Sequence, residues 1–268
     1  MNVEDYFGTS APVVGMVHLP ALPGAPGYGG DRERIRERAL ADARTLEAGG
    51  VDAVLVENFG DAPFYPGEVP THTVADVSVL AREVVRAVDV PVGVNVLRND
   101  AAAALSAAAA AGGSFVRVNV HVGASVTDQG VIEGRAFETM RERERLDADV
   151  AVLADVDVKH ATALGGRGLR ERVADVLERG LADGVVVSGS GTGRPTDDDT
   201  LATVRDVVDD VAPETPVFVG SGVTADTVGR TLDVADGVVV GTATKRDGET
   251  TNDVVEERVR ALLAAARD

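Results

Sequence analysis

Short valine-rich runs alternate along this chain with longer stretches in which apolar residues recur every three or four positions. Continuous apolar runs mark strands buried on both faces, and the longer period marks amphipathic helices. Strands are expected at 12–19 (PVVGMVHL), 51–58 (VDAVLVEN), 91–100 (PVGVNVLRND), 114–124 (SFVRVNVHVGA), 149–160 (DVAVLADVDVKH), 182–193 (ADGVVVSGSGTG), 215–224 (TPVFVGSGVT) and 235–245 (ADGVVVGTATK). Helices fall between them, near 31–48, 73–88, the alanine run 101–113, 135–146, 166–179, 197–210 and 224–233, with a closing helix at 252–266. Eight βα units in about 250 residues predict an α/β fold, a single (β/α)8 TIM barrel. A doubly wound open sheet usually stops nearer five to seven strands. No linker or low-complexity break divides residues 1–268, so one domain is expected.

In such a barrel the C-terminal strand ends meet at one face and carry the chemistry. Those ends hold His18, then Glu57 and Asn58, then Asn95, Arg98 and Asp100, then Arg117, Asn119 and His121, then Asp155, Asp157, Lys159 and His160. Ser188 and Ser190 lie in SGSGTG after the sixth run, as a third wall of the same pocket or as a flexible loop. After the seventh and eighth runs stand Gly220, Ser221 and Gly222, then Gly241, Thr242 and Lys245. Glycines there let backbone N–H groups approach an oxyanion, and barrels often bind phosphate between these two strands. Phosphate binding is therefore expected on those two loops, with Lys245 close by.

Lys159 stands in ADVDVKHA, where strict alternation puts Asp155, Asp157 and Lys159 on one face. The bland reading is an internal ion pair that fixes the loop. Mg²⁺ held by Asp155, Asp157 and Glu57 is an option the oxygen donors leave open, although no spacing demands a metal. A Schiff-base lysine needs to be neutral part of the time, and adjacent carboxylates favour the ammonium form instead. Lys159 reads as a fixed cation.

Composition narrows the classes. The net charge of −18 opposes a nucleic-acid partner or an anionic membrane surface. Acidic residues are spread along the helices, and the chain carries 24 arginines against two lysines, a pattern of adaptation to high salt. With no cysteine there are no disulfides, thiolate nucleophiles or Cys-based zinc sites. The absence of H-E-x-x-H argues against a zinc hydrolase, and that of G-x-S-x-G against a serine triad. No signal peptide and no membrane-length apolar run are recognisable, so a cytoplasmic, homo-oligomeric protein acting on a small molecule is expected.

Several segments, in order across nearly the whole chain, resemble the BtpA/SgcQ family: GMVHLPALPGAP (15–26), VENFGDAPF (56–64), GVNVLRND (93–100), FVRVNVHVGASVTDQGVIEG (115–134), ADVDVKHA (154–161), VVVSGSGTG (185–193), VFVGSGV (217–223) and DGVVVGTATK (236–245). The departures are acidic substitutions in the helices, as in proteins of halophilic archaea. The resemblance implies a ribulose-phosphate-binding type of barrel. The family takes its name from a role in photosystem I biogenesis, and some archaeal relatives are associated with nucleoside breakdown. From the latter follows the leading expectation, a nucleoside phosphorylase with inorganic phosphate as co-substrate. Asp155 or Asp157 would then stabilise the oxocarbenium-like state or hold ribose hydroxyls, with Lys159 orienting them or touching phosphate. Glu57 and Asn58, or Asn95 and Asn119, would hold the base, and Asp100 or His121 would protonate it. His18, Arg98, His160, Ser188 and Ser190 complete the substrate contacts. The alternatives are a sugar-phosphate isomerase, epimerase or aldolase, and a non-catalytic assembly factor.

Overall fold

Alternation along each strand sends one set of side chains to a central axis and the other to the surrounding helices. The structure is a computed structural model and describes residues 1–157, 161–189 and 196–268, with the Asp157 side chain left out. Its strands are β1 (Val13–His18), β2 (Ala53–Glu57), β3 (Val92–Asn95), β4 (Phe115–Val118), β5 (Ala124–Thr127), β6 (Gly130–Glu133), β7 (Ala151–Asp157), β8 (Ala161–Ala163), β9 (Gly184–Val187), β10 (Val217–Val219) and β11 (Gly237–Val240). Eight of these close a parallel barrel in the order β1-β2-β3-β4-β7-β9-β10-β11, with β11 paired back onto β1. This is the expected (β/α)8 barrel. The other three, β6-β5-β8, make a separate antiparallel sheet that the apolar pattern did not announce.

The helices are α1 (Val3–Phe7), α2 (Arg32–Gly49), α3 (Thr71–Val85), α4 (Ala101–Ala111), α5 (Ala136–Arg145), α6 (Leu169–Ala174, continued by a π turn through Arg179), α7 (Asp198–Val211), α8 (Val228–Leu232) and α9 (Glu256–Arg267). Their starts are chemical. Asp31, Asp100 and Asp197 each accept an N–H of the first turn, which would otherwise lack a partner. The seventh-unit helix is a single short turn, much shorter than the expected 224–233. No described helix is long and apolar enough to cross a membrane.

Two apolar clusters follow from the alternation. The outer one packs the barrel against the helices. The inner one holds Val14, Met16, Leu55, Phe115, Leu153, Val186, Phe218 and Val239. Gly93 and Gly237 face that axis, and a Cβ on either would lie 2.2 Å from Phe115 or 2.5 Å from Phe218. The two phenyl rings thus fill the volume that the glycines leave. Helix α1 closes the lower end, with the Phe7 ring centred 5.7 Å from Phe115 and 5.9 Å from Phe218.

The lower rim is stitched by a repeated aspartate. Asp52, Asp183 and Asp236, each just before a strand, accept the N–H of Val13, Val152 and Val217 on the neighbouring strand. Each also meets an arginine: Arg267, Arg143 and Arg205 respectively. These carboxylates serve stability, since they lie at the end of the barrel away from the upper face where the C-terminal strand ends meet.

Candidate active site

The inward register that builds the core continues upward into polar side chains. His18 follows Val14 and Met16 along β1, Glu57 follows Ala53 and Leu55 along β2, and Asn95 follows Gly93 along β3. On β4 the same parity carries Arg117 and Asn119, and on β7 it carries Asp155. All six are buried or nearly so, and they meet at the upper end of the barrel.

The centre of this group is an ion pair. Arg117 Nε and Nη2 donate to both oxygens of Asp155, with Nη2 2.9 Å from Oδ1 and 3.1 Å from Oδ2. Nη2 also donates to Ser188 Oγ at 3.0 Å, and Asn119 Nδ2 donates to Asp155 Oδ2 at 2.8 Å. Burial works against the Arg117 charge, but the Asp155 and Glu57 carboxylates outweigh it and hold its pKa above the ordinary value. Asp155 is therefore occupied. It fixes a buried guanidinium, and the role of ribose or oxocarbenium partner expected of it does not fit its geometry.

Glu57 is placed differently. Asn95 Nδ2 donates to its Oε2 at 2.7 Å, and its Oε1 lies 3.8 Å from His18 Nε2. A cavity of about 200 Å³ brings His18, Glu57 and Arg117 together with Ser221, Gly222 and Thr242. Gly222 has φ +68°, a conformation that favours glycine. The 3₁₀ turn Thr242–Thr244 begins here, so its first amides are not used by the turn itself. Gly220 contributes space: its amide donates to Val187 O at 2.8 Å, and a Cβ there would lie 2.5 Å from Val186 Cγ1 and 3.1 Å from Arg117 Nη2. Gly241 likewise borders the cavity, beside the His18 ring.

Several expected site residues do other work. Lys245 points away from the glycine loops, fully buried, with Nζ 2.8 Å from Asp42 Oδ2 on α2. The turn at 242–244 ends the strand alternation and swings it outward. Arg258 from α9 lines the cavity instead and donates Nε–H to Ala243 O at 2.9 Å. Asp100 is consumed as a helix cap, accepting from Ala103 and Val69 amides, so it is not the acid of the site. Asn58 is spent on the fold: its Oδ1 accepts Leu97 N–H at 2.7 Å and its Nδ2 donates to Asp61. His121 turns to the helix layer, with Nε2 2.9 Å from Gly180 O, and burial lowers its pKa. It lines neither this cavity nor the larger one between β4 and β7, so it is not placed to protonate a leaving group there.

Arg98 is buried, and desolvation lowers its pKa against the opposing pull of Asp155, Asp128 and Glu57. Lys159, His160 and Ser190 lie outside the described residues, as does the Asp157 side chain. The register against β9 slips between Asp155 and Asp157, so strict alternation does not carry past Asp155. Among the described residues no three His, Cys, Asp or Glu side chains cluster to hold a metal. The Mg²⁺ set loses Asp155 to Arg117 and Asn119.

Arg117 is the buried residue at the centre of this group to which the sequence reading assigned no role. The available signal was its parity: in FVRVN it is a cation on the side of the strand that points into the core. Arg258 left no such signal, because it comes from a helix rather than a strand end.

The BtpA family profile matches residues 9–268. A Thermococcus kodakarensis protein is 48% identical over 257 residues, covering 96% of this chain and 95% of its own length. The photosystem I biogenesis protein BtpA of Synechocystis sp. is 44% identical over 265 residues, covering 99% of this chain and 91% of its own. Among solved structures, phosphoribosyl anthranilate isomerase from Thermus thermophilus is similar with a TM-score of 0.58 and 13% identity, over 96% of this chain and 98% of that one. At that identity the likeness is one of fold.

Proposed function

The chain belongs to the BtpA family, and from that premise we propose that it is a nucleoside phosphorylase, converting a purine nucleoside such as guanosine and inorganic phosphate to free base and ribose 1-phosphate. One observation carries the reading: the cavity at the glycine loops is lined by His18, Glu57 and Arg117 as well as by loop residues. A phosphate that is only a handle needs little beyond backbone amides. A phosphate that reacts must lie beside the groups at the reaction centre.

In this reading Arg117 and Arg258 attract the phosphate, and Asp155 keeps Arg117 aimed. A phosphate oxygen forms a bond to C1′ of the ribose as the C1′–N bond breaks. The bonding pair leaves with the base nitrogen, and the proton shed by hydrogen phosphate ends on the base. Positive charge grows on the ribose ring, and the Glu57 carboxylate, held by Asn95, lies where it can stabilise that charge.

The test is base release from guanosine, inosine, adenosine and uridine, with and without phosphate, at low and high salt. Phosphate-dependent release is expected from at least one purine nucleoside. Gly220→Ala, which presses on Arg117, should lower that rate by about 100-fold. No phosphate-dependent release from any nucleoside overturns the proposal. Turnover of a phosphorylated sugar without free phosphate would point to an isomerase, epimerase or aldolase. The Synechocystis relative's name favours one further reading, a non-catalytic assembly factor. There, a folded Arg117→Ala protein keeps its cellular role. The acidic surface we propose to be a salt adaptation.

A further inference from the structure

A nucleobase is bonded directly to C1′ of its ribose, so the space that takes the base has to adjoin the space that takes the phosphate. Among the described residues, the cavity between β4 and β7 shares no lining residue with the one at the glycine loops. A third cavity does. It is walled by the loop that joins β1 to α2 and has a volume of about 590 Å³. Small-molecule sites commonly run from about 300 to 1,000 Å³. His18 lines both this cavity and the one at the glycine loops, with Glu57 Oε1 3.8 Å from its Nε2. The partition between the two spaces is thus one imidazole, beside the carboxylate assigned above to the ribose.

Two features of the third cavity suit a purine. The first is an aromatic ring. Phe59, in the 3₁₀ turn Phe59–Asp61 after β2, is half-buried and lines the cavity, its ring centred 4.8 Å from that of His18. An aromatic face takes any base by stacking and sets no preference among them. The second is a pair of opposite charges at the start of α2. Asp31 and Arg34 are both exposed and both line the cavity. Three residues apart on a helix, they are neighbours on its surface. Asp31 Oδ1 accepts the Arg34 backbone N–H at 3.1 Å, and an ionised carboxylate has capacity for further donors. The wall's other arginine and aspartate, Arg38 and Asp253, are paired with each other at 2.7 Å. Arg38 also lies 3.2 Å from Asp42. Asp31 and Arg34 are therefore the charged groups placed to meet a ligand.

Building on the nucleoside reading above, we propose that this cavity is the nucleobase subsite, in which Phe59 stacks on the base and Asp31 and Arg34 read its edge. The Watson–Crick edge of guanine presents two donors, N1–H and the 2-amino group, and then the acceptor O6. A carboxylate beside a guanidinium is its complement: Asp31 accepts from the two donors and Arg34 donates to O6. Hypoxanthine keeps N1–H and O6 but lacks the amino group. Adenine reverses the order, turning the N1 lone pair toward the carboxylate and the 6-amino group toward the guanidinium. Guanosine, inosine and adenosine should bind with affinity falling in that order.

The experiment is calorimetric binding of these three nucleosides to the full chain, to Asp31→Asn and to Arg34→Met, without phosphate. The native protein should bind guanosine about tenfold more tightly than adenosine, the worth of one charge-assisted hydrogen bond. Asparagine caps a helix as well as aspartate does, so Asp31→Asn keeps the start of α2. Its amide can donate to adenine N1, so the preference for guanosine should fall to about twofold or less. Arg34→Met should lose about tenfold for guanosine and inosine alike, since both carry O6. Neither residue lines the cavity at the glycine loops, so the rise in melting temperature caused by inorganic phosphate should stay as in the native protein. Equal binding of guanosine and adenosine by the native protein overturns the proposal, as does an Asp31→Asn protein that keeps the native preference. If either variant does not fold, the native ranking and the other variant decide. If nucleosides bind with a ranking indifferent to both substitutions, the base subsite lies elsewhere and the nucleoside reading stands. If no nucleoside binds at all, both fail.

Discussion

Lys245 shows how much one buried charge depends on its partner. Its Nζ is fully buried and lies 2.8 Å from Asp42 Oδ2. Desolvation lowers its pKa, and the Asp42 carboxylate opposes that shift. Asp42 has more support than Lys245 does, since it also accepts the Val254 N–H at 2.9 Å and has Arg38 Nε at 3.2 Å. Asp42→Leu should therefore cost about 3–5 kcal/mol, because it strands a buried ammonium. Lys245→Met should cost clearly less, because the carboxylate keeps two partners. Thermal unfolding of both variants checks the order, and equal losses would refute it. The same residue marks where reading by position stops working. Parity along a strand placed Glu57 and Asn95 correctly at the mouth, but one 3₁₀ turn beyond β11 was enough to send Lys245 to the opposite side of the sheet. Asn58, Asp100 and His121 differ for a related reason: at strand ends the backbone itself needs hydrogen-bond partners, and these side chains supply them.

At the scale of elements, the barrel strands were legible because each is buried on both faces and reads as a continuous apolar run. The β5–β6–β8 sheet was not, because its strands are short and half-exposed and carry Ser, Thr and Glu among their apolar residues. Helix α1 is five residues long, too short for a helical period to show. Yet it closes the barrel floor through Phe7, which meets Phe115 and Phe218 edge-on. Phe7→Ala should cost about 3–5 kcal/mol, a fall in melting temperature of about 2–4 °C for each kcal/mol lost. The upper face should be spared, so the effect of phosphate on melting should persist in the variant. Loss of that effect would show that floor and mouth are coupled.

For the whole molecule the governing quantity is a net charge of −18 spread over one barrel. Such charge keeps the protein soluble but repels itself across the folded surface. The Debye length falls from about 10 Å at 0.1 M salt to about 3 Å at 1 M. The melting temperature should rise over that interval and flatten beyond it, as read by unfolding in a potassium chloride series. A flat or falling curve below 1 M would exclude self-repulsion as the limiting term. The sequence alone determined the fold class, the number of barrel strands, the glycine loops after the last two of them and the polar upper ends of the strands, since burial and alternation are local properties of the chain. Tertiary structure alone decided which polar groups are available. Asp155 is used up by Arg117 and Asn119, Lys245 is locked to Asp42, and Arg258 arrives from the last helix to line the cavity at the glycine loops. Hydrogen-bond capacity is shared among residues far apart in the chain, so it becomes countable only once the barrel has closed.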